Sequence, residues 1–331
     1  MKIVVTGGAG FIGSHVADAC VAAGHEVVVL DDLSRGDRRN LHPKARFYEI
    51  DVCDPDVKEI FMDERPEALS HHAAQISVSD SVRDPVRDAQ INVLGTVNLL
   101  EAAVAAGTRK VIFASTGGAM YGEVEGAPAG EDSPRLPISP YAVSKISAEF
   151  YLGYYRRQRG LRYTTLRYAN VYGPRQSPHG EAGAVAIFAT ATLSGKAPRL
   201  FAARQVGDAG GIRDYVYVGD VVRANTIALE RGDDDVFNIA TATGTATADL
   251  YRLVATAVEF QDPPEFALPR PGDLLRSVIS HKKAEHVLGW RPETSLQEGI
   301  RKTVEYFRQQ TAVSDQRSAL ISETSNVKRQ T

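Results

Sequence analysis

Tyr141 and Lys145 stand four residues apart in Ser139-Pro140-Tyr141-Ala142-Val143-Ser144-Lys145, a run whose opening Ser-Pro pair predicts the start of a helix. On such a helix the two side chains share a face, roughly 6 Å apart at Cβ. An ammonium fixed beside a phenol favours the phenolate and draws its pKa down from about 10 towards working pH. A tyrosine tuned in this way is a general base. The same spacing also occurs on ordinary amphipathic helices, so its weight rests on its companions.

The first companion is a glycine-rich turn. Thr6-Gly7-Gly8-Ala9-Gly10-Phe11-Ile12-Gly13 follows a strand-like start and opens a helical pattern, with glycines at 7, 10 and 13. Glycine permits the tight turn and lets a pyrophosphate approach the backbone, while the helix N-terminus supplies N–H donors and a positive dipole end. Strand, glycines and helix in this order predict dinucleotide binding. The second strand ends in Leu30-Asp31-Asp32, 18 residues beyond Gly13. A carboxylate there accepts hydrogen bonds from an adenosine ribose diol and repels the extra phosphate of NADP, so NAD is the expected cofactor. Arg35 lies near enough to bear on that choice, and reads more simply as a solvated loop arginine. Asp51-Val52 is a candidate adenine contact and His72-Ala73-Ala74 a candidate lining of the path to nicotinamide. Asp51 would equally cap a turn, and His71 and His72 would equally be strand residues without a ligand.

The elements that must position these groups alternate. Residues 2–6, 26–30, 46–50, 68–72, 110–115 and 163–167 read as strands, and 12–23, 91–106 and 141–159 as helices, the last stopped by Gly160. This is βαβ punctuation and predicts an α/β fold, a Rossmann-type doubly wound parallel sheet with helices on both faces and a smaller C-terminal substrate lobe. Residues 1–169 are expected to form the NAD-binding domain, with segments near 213–240 returning to it, and 170–310 mainly the substrate lobe. Within that lobe 184–193 reads as a helix and 216–218 and 236–239 as buried strands. From Ala312 the chain is polar and without periodicity, so 311–331 is expected to be a mobile tail.

Composition narrows the classes. Of 331 residues, 24% are charged and 43% hydrophobic, ordinary for a soluble globular protein, and a net charge of -3 gives no basic surplus for nucleic acid or an anionic membrane. The two cysteines, Cys20 and Cys53, have no zinc-ligand spacing and read as reduced thiols; no metal is needed. No signal-like segment and no uninterrupted apolar run of about 18 residues is evident, so a cytoplasmic protein is expected.

Taken together, Thr6 to Gly13, Asp31, Thr116, Tyr141-x-x-x-Lys145 and Leu166-Arg167-Tyr168-Ala169-Asn170-Val171-Tyr172-Gly173-Pro174-Arg175 resemble the extended short-chain dehydrogenase/reductase superfamily, and within it the bacterial UDP-glucose 4-epimerases. Later matches are Gly180-Glu181-Ala182-Gly183, Arg213-Asp214-Tyr215, Phe237-Asn238-Ile239 and Leu288-Gly289-Trp290, so the likeness spans about residues 1–310. The resemblance implies that Tyr141 is the base, that Lys145 binds the nicotinamide ribose, and that Thr116 hydrogen-bonds the reacting sugar oxygen. It implies cofactor contacts at Phe11, Ile12, Asp31, Asp32, Leu33, Ser34, Arg35, Gly36, Asp51, Val52, His72, Ala73, Ala74, Gln75 and Tyr168. Asn170, Arg213 and Arg270, with Asp273 nearby, match residues around the nucleotide diphosphate of a UDP-sugar.

Two positions separate chemistries within the superfamily. Dehydratases and decarboxylases usually carry an acid directly after the catalytic Thr or Ser, whereas here Gly117-Gly118 follows Thr116, which implies simple C4 epimerisation rather than dehydration or net oxidoreduction. Ser277 matches a position that is bulky in some strictly hexose-specific epimerases, so UDP-N-acetylglucosamine stays open beside UDP-glucose and UDP-galactose. UDP-glucuronate is less favoured, since Gly183-Ala184-Val185 offers no charge. Relatives commonly pair as homodimers through two helices, here those near 91–106 and 141–159, with Phe150, Tyr151, Tyr154 and Tyr155 as candidate contacts, although burial in the chain's own core explains several of them equally well.

Overall fold

The β-branched runs of the first half form the expected strands. The computed structural model describes residues 1–178, 183–270 and 272–327, with side chains through Thr311. Its first half runs β1 (Lys2–Thr6), α1 (Phe11–Ala22), β2 (Glu26–Asp31), β3 (Arg46–Glu49), α2 (Val57–Glu64), β4 (Ala68–His71), α3 (Val78–Arg83), α4 (Pro85–Ala89), α5 (Gly95–Ala106), β5 (Lys110–Thr116), α6 (Pro140–Arg159) and β6 (Arg162–Tyr168). Its second half runs β7 (Asn170–Tyr172), α7 (Ala184–Leu193), β8 (Arg199–Phe201), β9 (Ile212–Tyr217), α8 (Val218–Ala228), β10 (Asp235–Ile239), β11 (Gly244–Ala246), α9 (Thr247–Val258), β12 (Glu265–Ala267), β13 (Arg276–Ser277) and α10 (Leu296–Val327).

Seven strands form one sheet in the order β3-β2-β1-β4-β5-β6-β10, every pair parallel. Alternation within its strands explains its two covered faces. Ile3, Val5, Val27 and Val29 pack with α1, while Val4, Val28 and Leu30 pack with the side chains of α2, α5 and α6. Chain order reverses between β1 and β4, and a crevice beyond the carboxyl ends of these strands is where such sheets bind nucleotides.

A four-stranded sheet of β7, β9, β11 and β13 and the small β8–β12 pair form the second lobe. Its core gathers Tyr172, Phe188, Leu250 and Val254 with Ile300 and Val304 of α10. Of the stretch 213–240 expected to rejoin the first lobe, α8 and β10 do so, α8 against α1 and β10 beside β6. β9 instead belongs to the second-lobe sheet, because its partners are β7, β11 and β13.

Two further differences concern where helices begin and end. The helix expected at 91–106 begins earlier, as α4 and a π-turn over Gln90–Leu94 lead directly into α5. This run, Pro85–Ala106, is long and apolar enough to cross a membrane, with mean hydropathy 1.2, but buried Asp88, Asn92 and Thr96 point its polar stripe into the protein. The polar segment expected as a tail from 311 continues α10 as helix through Val327, while 328–331 lie outside the described residues.

Candidate active site

α6 carries the pair at its start because its first turn is well made. Ser139 accepts the Ala142 N–H at 3.3 Å, Pro140 occupies the first helical position, and Gly160 ends the helix at φ 72°. Tyr141 is half-buried and hydrogen-bonded to the Thr116 side chain at the end of β5. Lys145 is buried, its Nζ donating to the Ala114 carbonyl at 3.0 Å and lying 4.8 Å from the centre of the Phe113 ring.

The expected lowering of the Tyr141 pKa by Lys145 is not what these surroundings do. Burial, followed by the negative charge of Asp88, pushes Tyr141 up to about 12, with Thr116 pulling the other way. Burial brings Lys145 down to about 8, against the pull of Asp88 and Glu149. The lysine ammonium is engaged with the Ala114 carbonyl, so desolvation of the phenolate dominates at Tyr141.

Beneath the pair lies a buried ion pair. Arg167 Nη2 and Nε bond to Glu149 at 2.6 and 3.0 Å, Ser115 Oγ donates to the same carboxylate at 2.7 Å, and Arg167 Nη1 donates to Tyr121 Oη at 2.8 Å. This network anchors the end of β5 to α6. Gly117 and Gly118 then donate to the Tyr168 carbonyl at 2.8 and 3.2 Å. A Cβ on Gly117 would lie 2.2 Å from Ile279 Cδ1, so the space a carboxylate would need after Thr116 is filled by an alkyl group.

At the nucleotide end the backbone itself is the receptor. Gly7 has φ +66° and a Cβ there would lie 2.7 Å from Ala73 N, while a Cβ on Gly13 would lie 2.2 Å from Gly7 O. Gly10 precedes α1 without a side-chain cap, leaving first-turn N–H groups beside Phe11 and Ile12 free for an anion. Asp31 is buried, accepts Ala9 N and Leu33 N at 2.9 Å each, and has its pKa raised by desolvation. Its oxygens keep lone pairs for a diol, and a Cβ on Gly36 would lie 2.6 Å from Asp31 Oδ1.

The other expected cofactor contacts divide. Asp32 is exposed and accepts from Ser34 N at 3.0 Å and Ser34 Oγ at 2.6 Å. Arg35 is directed outwards to Asp80 at 2.7 Å, because that carboxylate is the nearest counter-charge. Asp51 accepts Cys53 N at 2.8 Å as a turn cap, and the Val52 carbonyl accepts Asn98 Nδ2 at 2.8 Å. His72 bonds Ser70 Oγ through Nε2 at 2.9 Å, while its buried Nδ1 has no hydrogen-bond partner among the described residues. Burial lowers its pKa to about 3, so the ring is neutral. Ala73 N donates to Thr6 Oγ1 at 3.2 Å and Ala74 is half-buried beside it. Tyr168 turns its hydroxyl to Asn225 of α8, at 2.8 Å from Asn225 Nδ2, so that side chain is part of the core. The glycine cradle, the uncapped α1 terminus, Asp31 and the orphaned His72 nitrogen fit a dinucleotide.

Around the second lobe, Asn170 is exposed at the start of β7, with Oδ1 3.4 Å from where a Cβ on Gly118 would lie. Arg213 on β9 bonds only the neighbouring Ile212 carbonyl, at 3.0 Å, and has no carboxylate partner among the described residues. Arg270 pairs with Asp273 at 2.9 Å and stacks 4.6 Å above Phe201. Ser277 lies opposite Arg213 in the β13–β9 register, and its buried hydroxyl donates to the Gly118 carbonyl at 3.0 Å. Gly183 immediately precedes α7, whereas Gly180, Glu181 and Ala182 lie outside the described residues.

Sequence reasoning missed Asp88, Asn92, Ser144, Glu149 and Arg167. The first two stand four apart on an apolar helical run, a polar stripe that points to an interior network. Of the two readings open for the α6 aromatics, Tyr155 takes the core one, buried and bonded to Glu101 because it faces α5, while Phe150, Tyr151 and Tyr154 are exposed. Among the described residues no cluster of His, Cys, Asp or Glu could hold a metal ion.

A parallel sheet with a glycine cradle at its switch point and a Thr-Tyr-Lys constellation at its carboxyl edge defines a dinucleotide-dependent enzyme that exchanges a proton with an alcohol. The sequence profile of the NAD dependent epimerase/dehydratase family matches residues 3–240, and the chain belongs to that family. It is 48% identical over 314 residues to the UDP-glucose 4-epimerase of Mycolicibacterium smegmatis, covering 93% of this chain and 99% of that protein. It is also similar to the solved UDP-glucose 4-epimerase of Thermotoga maritima with UDP-glucose, at TM-score 0.91 and 49% identity, covering 94% of this chain and all of that one. The Thermus thermophilus UDP-glucose 4-epimerase in complex with NAD gives TM-score 0.90 and 50% identity, covering 93% and 99%.

Proposed function

We propose that the protein interconverts UDP-glucose and UDP-galactose by NAD-dependent epimerisation at C4. The observation that carries this reading is the Thr116–Tyr141–Lys145 constellation followed by Gly117 with Ile279 against it, an alcohol base with no carboxylate directly after Thr116. NAD, when bound against the Gly7–Gly13 turn and Asp31, supplies a reversible hydride acceptor. Tyr141 takes the proton of the sugar 4-hydroxyl, Thr116 orients that oxygen, and Lys145 holds positive charge beside them. The sugar passes through its 4-keto form and turns while Arg213 and Arg270 keep the UDP in place; on return, Tyr141 gives the proton back.

Tyr141→Phe tests this reading. It should keep the fold and the bound NAD while turnover falls by about 100- to 10,000-fold. Near-normal epimerisation by that variant would overturn the assignment. Thr116→Val should lose less, since it removes one positioning bond and keeps the base. A second substrate, UDP-N-acetylglucosamine, is favoured by the small Ser277; turnover on it, on UDP-glucose and on UDP-glucuronate decides the sugar class.

The protein is further proposed to be a cytoplasmic homodimer. Val86, Leu94, Val143, Phe150, Tyr151 and Tyr154 are exposed apolar or aromatic side chains on α4, α6 and the intervening π-turn, and Cys20 and Cys53 are unpaired thiols. Light scattering should give twice the chain mass, and a monomer mass would refute the pairing.

A further inference from the structure

Asp88 on α4 is fully buried. Its carboxylate accepts Ser144 Oγ at 2.6 Å, Asn92 Nδ2 at 2.9 Å and Gln75 Nε2 at 3.0 Å. All three partners donate, the pattern of an acceptor-only carboxylate. No ammonium or guanidinium group pairs with it among the described residues. Ser144 lies in the same stretch of α6 as Tyr141 and Lys145, so a negative charge without a direct ion-pair partner rests against the turn that carries both. That charge disfavours the phenolate of Tyr141 and favours the ammonium of Lys145.

Other charged groups on the elements packed against α6 are engaged or distant. Asp80 of α3 pairs with Arg35 and Arg83, Glu149 of α6 pairs with Arg167 of β6, and Arg87 of α4 is exposed. Glu101 of α5 bonds Tyr155 farther along α6, Lys110 at the start of β5 pairs with Asp233, and Arg162 at the start of β6 pairs with the same carboxylate. Burial holds His71 and His72 of the adjacent β4 region neutral.

We propose that Asp88 is the counter-charge of the Tyr141–Lys145 pair, a positioning residue that keeps the lysine an ammonium and makes proton release from Tyr141 depend on positive charge brought into the crevice. The proposal rests on Tyr141 being the base. It assigns Asp88 no contact with the substrate.

Asp88→Asn is the informative change. The amide oxygen can still accept from Gln75 and Asn92, and its NH2 can donate to Ser144 Oγ, so charge is removed with pairing kept. The acid limb of turnover against pH is measured on the NAD-loaded enzyme. The ultraviolet phenolate band is titrated in parallel, as the difference between each protein and its Tyr141→Phe form. Both should move to lower pH by about one unit. Ser144→Ala retains the charge and should leave both where they are in the wild type. If Asp88→Asn does not fold, the double variant Asp88→Ala/Ser144→Ala, which removes the acceptor with its hydroxyl donor and leaves Gln75 Nε2 and Asn92 Nδ2 their bonds to the Ser77 and Gln75 carbonyls, should show the same downward shift. An unmoved or upward shift in the charge-free variants overturns the proposal, as does an equal downward shift in Ser144→Ala. Normal turnover by Tyr141→Phe itself would instead overturn the base assignment, and the Asp88 proposal with it.

Discussion

Between β1 and α1 the groups that face a pyrophosphate are backbone N–H donors, fixed by Gly7 at φ +66° and by contacts too close for any Cβ. On β9 and after β12 the groups suited to a second diphosphate are guanidinium ends of long side chains, Arg213 without a carboxylate partner and Arg270 paired to Asp273. The first receptor loses almost no conformational freedom when it binds. The second must order side chains that each carry roughly 2 kcal/mol of rotamer entropy. A cofactor retained through turnover suits the rigid receptor, and a substrate that enters and leaves suits the adjustable one.

The largest effect should come from crowding the rigid receptor. Gly13→Ala places a methyl 2.2 Å from Gly7 O by ideal geometry, so the turn must open. Alanine raises helix propensity in α1 by about 1 kcal/mol, which works against simple unfolding as the cause of any loss. The expected outcome is a folded protein whose NAD content, read by absorbance after denaturation, and whose turnover both fall by more than about tenfold. Full cofactor retention would break the contrast, since the backbone would then have proved adjustable.

The next effect sharpens the other side. Arg213→Ala removes a permanently charged fork, and charge-assisted hydrogen bonds contribute about 1.5–3 kcal/mol each. KM for the UDP-sugar should rise roughly 10- to 100-fold, with NAD content unchanged and kcat altered less. Loss of cofactor in this variant would show that the two receptors are one cooperative unit.

The same contrast explains what was legible in the residues. The cradle is eight consecutive positions, Thr6 to Gly13, each constrained by local geometry, and the strand that precedes it ends at Thr6 as its pattern predicts. Asn170, Arg213 and Ser277 come onto one sheet only because β9 pairs with β7 and β13, and Arg270 follows β12 of the separate β8–β12 pair; family likeness, rather than spacing, points to all four. Tyr141 and Lys145 were legible as a pair, yet the ionisation of Tyr141 was not. Burial decides it, with a carboxylate bonded to Ser144 from 56 residues away as the second cause. The early start of the 91–106 helix was hidden for a related reason: Asn92, in the π-turn, is bonded to the Gln75 backbone 17 residues away as well as to Asp88 one turn before it.

The smallest effect concerns Arg270. Its Nε already bonds Asp273 Oδ2 at 2.9 Å, with both side chains partly exposed, and its guanidinium lies over Phe201. A diphosphate gains less from a cation half-neutralised in advance, and solvent screens what remains. Arg270→Ala should therefore raise KM only about fivefold, near 1 kcal/mol, and combining it with Arg213→Ala should multiply the two effects if each arginine acts independently. Asp273→Asn should lower KM slightly by releasing the guanidinium. Were Arg270→Ala to cost more than Arg213→Ala, and Asp273→Asn to raise KM, Asp273 would be acting as an orienting partner rather than a competitor. The adjustable receptor would then have one arm as firmly set as the glycine turn.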